Sequence, residues 1–313
     1  MPYIAAQPII RTYMTSMSTV GGAVYGGGMT YTDGAGAVDL DVAWIHGSAA
    51  AKYNTDPDIQ AHACNEHTYI LRQNKAVHYE APFMFLLFGG SRAVLIDTGA
   101  TPEPEYFPLR RTVDAIIGDW LARHPQAGDY ELLVLHTHSH SDHTAADAQF
   151  AGRPHTTVVG AKRLDAWPYF GFDREPEEIA QIDLGGRVLD CLATPGHHEA
   201  AVTFYDRYTQ LLLTGDTVYP GRLYVFDWPA FVHSVGRLAQ WCEQHPVSWV
   251  LGCHIEMSTS PGKDYPVGWT YQPEETPLQL TAGHLEELRK TLEGHEFQPA
   301  RYVLPEMIIT PVS

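Results

Sequence analysis

From about residue 67 the chain breaks into short apolar runs punctuated by glycine and acidic residues, a pattern of strands. Residues 68–73, 83–88 and 93–96 read as strands, and Gly89-Gly90-Ser91-Arg92 joins the last two as a hairpin. Over 105–124 the period changes: Leu109, Val113, Ile116, Ile117, Trp120 and Leu121 recur at spacings of three and four, which predicts a helix. Leu132-Leu133-Val134-Leu135 is a buried strand, and residues 144–148 begin a helix after it. A short strand at 156–160 and an aromatic, Pro/Gly-interrupted loop at 167–173 follow. The aromatics of that loop suit a pocket wall and suit local packing equally. Further strands are expected at 186–192, 201–205, 210–213 and 249–251, with helices at 231–245 and through Leu285, Leu288 and Leu292. A Pro/Gly/Tyr-rich loop spans 260–277. No repeat of 20–50 residues is present.

These elements predict one sandwich-like α/β domain over residues 61–313, preceded by an extension over 1–60 that packs on it. The extension is the least patterned part. Gly21-Gly22, Gly26-Gly27-Gly28 and Gly34-Ala35-Gly36 suggest turns against a larger body. Tyr13, Tyr25, Tyr31 and Trp44 supply apolar area to bury, so a flexible tail is disfavoured. Covering a site and forming a subunit interface, as in a homodimer, both stay open for it.

Composition narrows the setting. With 313 residues, 44% hydrophobic and 18% charged, the chain can bury a sizeable core. A formal net charge of −17 argues against nucleic acid or an anionic membrane as partner and leaves a small-molecule substrate. Cys64, Cys191, Cys242 and Cys253 show no paired spacing, which reads as reduced thiols and a cytoplasmic location. No basic, apolar leader and no run of membrane-span length is seen.

The chemistry concentrates where the 132–135 strand ends. Thr137-His138-Ser139-His140-Ser141-Asp142-His143 places three imidazoles and a carboxylate within six residues. Strand C-termini are where open α/β structures bind ligands. Such a cluster is costly beside a buried strand unless a cation organises it. Three more ligand-type residues close later strands, each just after a glycine: His197 after Pro195-Gly196, Asp216 after Gly215 and His254 after Gly252-Cys253. His198 is an alternative to His197. Asp97, in Leu95-Ile96-Asp97-Thr98-Gly99, fits a simple turn and fits an acceptor orienting a metal-bound histidine.

In this order the motifs resemble the metallo-β-lactamase superfamily over roughly residues 67–256. The resemblance implies an αββα sandwich with a two-metal site at one edge of the paired sheets. By position, His138, His140 and His197 would bind one metal, Asp142, His143 and His254 the other, and Asp216 would bridge them. Asp97 would orient a ligand. Two Zn2+ are the default, with iron or manganese as alternatives. A bridging water made acidic by the pair would supply the hydroxide, with Asp142 orienting it. Tyr219, three residues after Asp216, sits where lactonases of the family place a tyrosine near the substrate carbonyl; local packing beside Pro220 is the competing account. Tyr224 and Trp228 are weaker candidates for the same pocket.

Asp216 stands where the true β-lactamases have cysteine or serine, and the acidic chain lacks the basic surface of the family's nucleases. Lys263 and Arg222 are the only conspicuous counterparts of the basic residues with which glutathione thioesterases hold substrate. The expectation is therefore hydrolysis of a carboxylic ester, lactone or thioester. Phosphodiester or phosphotriester hydrolysis is the first alternative, and a mononuclear iron sulfur dioxygenase the second.

Overall fold

A computed structural model describes residues 29–125, 128–173 and 177–312. The expected glycine turns at 21–22 and 26–28, and Tyr13 and Tyr25, lie outside the described residues.

The first half builds one six-stranded sheet: β1 (Ile59–Asn65), β2 (Thr68–Gln73), β3 (Phe83–Phe88), β4 (Arg92–Ile96), β5 (Glu131–Leu135) and β6 (Thr156–Val158), in that spatial order. The hairpin strands are antiparallel, whereas β4, β5 and β6 run parallel. Helix α1 (Leu109–Arg123) makes the β4–β5 crossover. The one-turn α2 (Ser141–Thr144) and α3 (Arg163–Phe170) flank β6 in sequence. The second sheet contains β7 (Ala180–Asp183), β8 (Val188–Ala193), β9 (Val202–Asp206), β10 (Leu211–Gly215), β12 (Trp249–Gly252) and β13 (Gln279–Leu280), ordered β13-β12-β10-β9-β8-β7. There β10 and β12 run parallel, joined through β11 (Arg222–Val225) and α4 (Trp228–Gln244). After α5 (Ala282–Gly294), β14 (Tyr302–Val303) and β15 (Ile308–Pro311) complete a small third sheet with β11.

Period-two alternation divides each strand between two cores. Phe83, Phe85 and Leu87 of β3 face Leu189, Cys191, Phe204 and Leu213 of the second sheet. Their neighbours Met84, Leu86 and Phe88 pack instead on Val113, Ile117 and Trp120 of α1. The far side of the second sheet is covered in the same way by Phe231, Val235 and Leu238 of α4 and Leu285, Leu288 and Leu292 of α5. The result is the expected αββα order of layers. Both faces of the central strands are covered, so they read as continuous apolar runs rather than alternating ones.

Buried Arg187 ties the sheets together. Its Nε and Nη2 donate to Asp206 at 3.0 and 2.6 Å, and its Nη1 donates to the carbonyls of His67 and Phe88 at 2.6 and 3.1 Å.

Several expectations change. No helix begins over 144–148, where α2 ends at Thr144 and a 3-10 turn follows at Asp147–Phe150. Residues 167–170 are not loop but the end of α3, with Pro168 inside it. Gly171, at φ +86, caps the helix and the next residue, Phe172, donates its amide to Trp167 O. Burying Trp167 and Phe172 between the sheets outweighs the hydrogen bond that proline removes. Regular strands also begin earlier than residue 67, because β1 starts at Ile59. It is an edge strand with polar alternate positions, and Tyr31, Val38, Leu40 and Trp44 of the preceding segment pack around it and the core. Trp44 meets Phe83 edge-on at 5.0 Å.

Candidate metal centre

Every expected ligand side chain lies just beyond the C-terminal end of a strand, at one edge of the sandwich. The loop after β5 brings His138 and His140, and α2 carries Asp142 and His143. The second sheet answers with His197 after β8, Asp216 after β10 and His254 after β12. The preceding glycines let the backbones meet. Gly215 has φ +54, and a Cβ there would lie 2.6 Å from Thr137 Cβ; one on Gly196, at φ +144, would lie 2.5 Å from Phe231 Cα.

Two groups form. The ring nitrogens of His138, His140 and His197 converge, with His140 Nδ1 2.9 Å from His138 Nε2 and 3.1 Å from His197 Nε2. Beside them gather Asp142, His143, Asp216 and His254. Asp142 Oδ2 is 3.3 Å from both His143 Nε2 and His254 Nε2. Asp216 spans the groups: its Oδ1 is 3.4 Å from His254 Nε2, and its Oδ2 is 3.8 Å from His197 Nε2. His198 turns away, accepting the Ala200 amide on Nδ1 and meeting Ser139 Oγ with Nε2, so His197 is the member of the pair that joins the cluster.

A shell of acceptors sets the tautomers. His197 Nδ1 donates to Tyr224 O at 2.7 Å and His254 Nδ1 to Glu80 O at 3.2 Å. His143 Nδ1 donates to Asp97 Oδ2 at 2.9 Å. Asp97 Oδ2 also receives the Thr137 hydroxyl at 2.8 Å and the Cys253 thiol at 3.3 Å, while Oδ1 receives the Thr137 amide at 2.7 Å. Having given its proton to Asp97, Thr137 Oγ1 accepts from His138 Nδ1 at 3.1 Å. The Nε2 atoms of His138, His143, His197 and His254 are thereby aimed at the cluster, whereas His140 faces it with Nδ1; a lone pair on that atom is the state in which histidine binds a metal.

The donors fit cations. Bonds of about 2.0–2.1 Å in a tetrahedron separate ligand atoms by about 3.3 Å, close to the distances found here. Lone pairs facing one another at 2.9 and 3.1 Å repel unless a positive charge lies between them. Among the described residues, Asp216 Oδ1 is buried with no hydrogen-bond donor. Burial disfavours a charged His143, yet Asp142, Asp216 and Asp97 outweigh it and hold that pKa well above the ordinary value. Burial likewise opposes ionisation of Asp216, but His254 and His143 hold it well below the usual carboxylate range. The second group thus demands positive charge at its centre. At His138, burial and then His143 push the pKa far down, leaving a neutral ligand.

A family model described as the metallo-beta-lactamase superfamily matches residues 80–245, over half of the 313 residues. The chain belongs to the metallo-beta-lactamase superfamily. The fold implies a metal site of histidine and aspartate ligands, and the two groups above supply those residue types. A hydroxyacylglutathione hydrolase of Chelativorans sp. (strain BNC1) is 29% identical over 171 residues, 53% of this chain and 63% of the relative. The chain therefore spans less than two thirds of that relative's length. The acyl-coenzyme A thioesterase MBLAC2 of Gallus gallus is 27% identical over 209 residues, 56% of this chain and 72% of the relative. Among solved structures, a metallo-beta-lactamase from Pontibacter korlensis matches with a TM-score of 0.50 at 15% identity. That match covers 75% of this chain and 99% of the other, and speaks to the fold alone.

Tyr219 lies beside the second group of ligands. Its ring is 2% exposed and stands edge-on to His254 at 5.5 Å, but its hydroxyl donates to Arg222 O at 2.5 Å and lies 3.2 Å from Glu256 Oε2. The hydroxyl is engaged away from the metal ligands, and the ring packs beside His254. Arg222 is likewise engaged by Glu256 at 2.5 Å and Asp264 at 2.9 Å. Tyr224 contributes its carbonyl, and Trp228, the first residue of α4, is buried beside Phe231 and Tyr302 and donates to Phe297 O. The carbonyls of Glu80 and Tyr224 carry no sequence signal. Asp97 was expected from its strand end, and Thr137, inside the histidine motif, is the further part of this shell that the sequence marks.

Proposed function

We propose that the chain is a dinuclear metal-dependent hydrolase that cleaves carboxylic esters, thioesters or lactones. The observation that carries this reading is Asp216, whose two carboxylate oxygens face different histidine groups. A single-ion centre needs only one of these groups, so the complete second group counts against the sulfur dioxygenase alternative. Relatives named as thioester hydrolases support an acyl substrate over a phosphoester.

Two divalent cations, zinc by default and iron or manganese otherwise, would supply the Lewis acidity that ionises water near neutral pH. His138, His140 and His197 would hold one, Asp142, His143 and His254 the other, with Asp216 shared. Asp97, Thr137 and the two carbonyls keep the imidazoles in the ligating tautomer. Asp142 spends Oδ2 on His143 and His254, and its side chain stays 19% exposed, which leaves Oδ1 to orient the attacking water and accept its proton. Water oxygen joins the acyl carbon, the carbon–oxygen or carbon–sulfur bond breaks, and that proton leaves with the alcohol or thiol.

The test is metal analysis joined to a panel of esters, thioesters, lactones and phosphoesters. About two ions per chain and acyl turnover are expected, with Asp216→Ala losing metal and most activity. One iron per chain with oxygen uptake on a persulfide, or undiminished turnover by Asp216→Ala at normal metal content, refutes the proposal.

A further inference from the structure

A cavity of ≈490 Å³ opens beside His140 and His197, and its most unusual wall is Phe226. This ring is 58% exposed although it stands edge-on to His197 at 5.9 Å and to His140 at 6.2 Å. A lone exposed phenylalanine needs no explanation in itself. This one, however, is held in place. The amides of Phe226 and Asp227 both donate to Gly196 O, at 3.0 and 2.9 Å. Two residues earlier, Tyr224 O takes the proton of His197 Nδ1. The segment that fixes a candidate ligand therefore also fixes the backbone that carries the aromatic ring, so the loop itself loses little ordering entropy on binding.

The rest of the lining gives the chemistry. Pro195, Gly196 and Ala230 add carbon surface next to Phe226. The charged lining is one cation, Arg163, whose guanidinium lies 4.0 Å from the Trp167 ring centre, against two carboxylates, Glu199 and Asp227. Asp227 is further fixed as the cap of α4, accepting the Ala230 amide at 3.0 Å. An acyl chain extending from a carbonyl at the metal ligands would lie across Phe226 and bury both apolar surfaces. A terminal carboxylate on that chain would meet more negative charge than positive.

We propose that Phe226 is a specificity-determining residue and that this cavity takes the uncharged, apolar acyl group of an ester or thioester. The inference rests on the hydrolase reading of the same site. Because Phe226 is exposed, its truncation leaves the core intact.

The test compares the metal-loaded wild type with Phe226→Ala and Phe226→Leu on 4-nitrophenyl butyrate and 4-nitrophenyl hydrogen succinate. Binding of butyranilide, the corresponding amide, is followed by calorimetry. The wild type should prefer butyrate by about tenfold or more in kcat/KM. Phe226→Ala should lose about tenfold on butyrate through KM, change little on the succinate and bind butyranilide weakly, while Phe226→Leu recovers part of the loss. A wild type that favours the succinate, or an unchanged preference with unchanged butyranilide binding in Phe226→Ala, overturns the inference and leaves the hydrolase reading standing. If neither ester is turned over, the wider panel decides the hydrolase reading and butyranilide binding decides the subsite. Butyranilide binding that depends on Phe226 then still supports the subsite, and binding that is absent or insensitive to the substitution refutes it.

Discussion

Replacing Asp97 by asparagine isolates the control of a tautomer. Asp97 has φ +66, a left-handed conformation that asparagine adopts readily, so the backbone can stay where it is. The carboxylate accepts four donors: the Thr137 amide on Oδ1, and the Thr137 hydroxyl, His143 Nδ1 and the Cys253 thiol on Oδ2. An amide offers one acceptor in place of two. The Thr137 amide cannot reorient, so the asparagine oxygen takes the Oδ1 position and its NH2 faces His143 Nδ1–H. His143 then relieves the clash by moving its proton to Nε2, the atom that faces Asp142 and Asp216. The lost charge-assisted hydrogen bond is worth about 1.5–3 kcal/mol, which is a weakening of metal binding by about 10- to 100-fold. The assay is titration against a competing chelator, with bound metal counted per chain. Asp97→Asn should release the ion held by Asp142, His143 and His254 at chelator concentrations that leave the wild type fully loaded, and should weaken the other ion too, because the amide NH2 also faces Thr137 Oγ1, which steers His138. Wild-type affinity for both ions refutes the reasoning.

Tyr219→Phe should leave metal content and turnover close to wild type and cost about 1 kcal/mol in urea unfolding, because the lost hydroxyl serves Arg222 O and Glu256; a large fall in kcat at unchanged stability would return the tyrosine to the chemistry. Arg187→Met should cost about 3–5 kcal/mol by the same measurement, since it leaves the Asp206 carboxylate buried without its partner; a loss below about 1 kcal/mol would show that water reaches the pair. Lys75 is buried, and that burial, reinforced by Arg72, lowers its pKa to about 8 from 10.5. Between those values the unfolded chain binds more protons than the folded one, so this group makes stability rise with pH. Lys75→Met should flatten the rise by up to about 3 kcal/mol between pH 8 and 10.5, and parallel stability profiles of the two proteins would contradict the account.

The sequence was most legible where one physical demand dominated. Strands covered on both faces, such as β3, β5 and β10, must be apolar throughout and were read directly. The seven ligand-type residues were legible because four lie in the histidine-rich stretch after β5 and three follow glycines at the ends of β8, β10 and β12, all of which the folded chain brings to one edge. Strands with weaker demands were missed: β1 at a sheet edge, and the short β11, β14 and β15, whose pairing depends on partners up to ninety residues away. Pro168 argued for a loop, but the burial of Trp167 between the sheets decided for a helix. The direction of the Tyr219 hydroxyl was beyond reach, since it depends on the Arg222 carbonyl and on Glu256, and neither belongs to a motif.

Neither group of ligands belongs to one sheet. His138 and His140 extend from the first sheet and meet His197 from the second; Asp142 and His143 from the first meet Asp216 and His254 from the second. An ion in either group would act as a cross-link between the two halves of the sandwich, close to their edge, in the manner of a disulfide that forms only after folding. Capture of metal would then come late, once both halves have docked, and would hold them together by its binding free energy. A fragment holding a single sheet could chelate, but it could not assemble either centre.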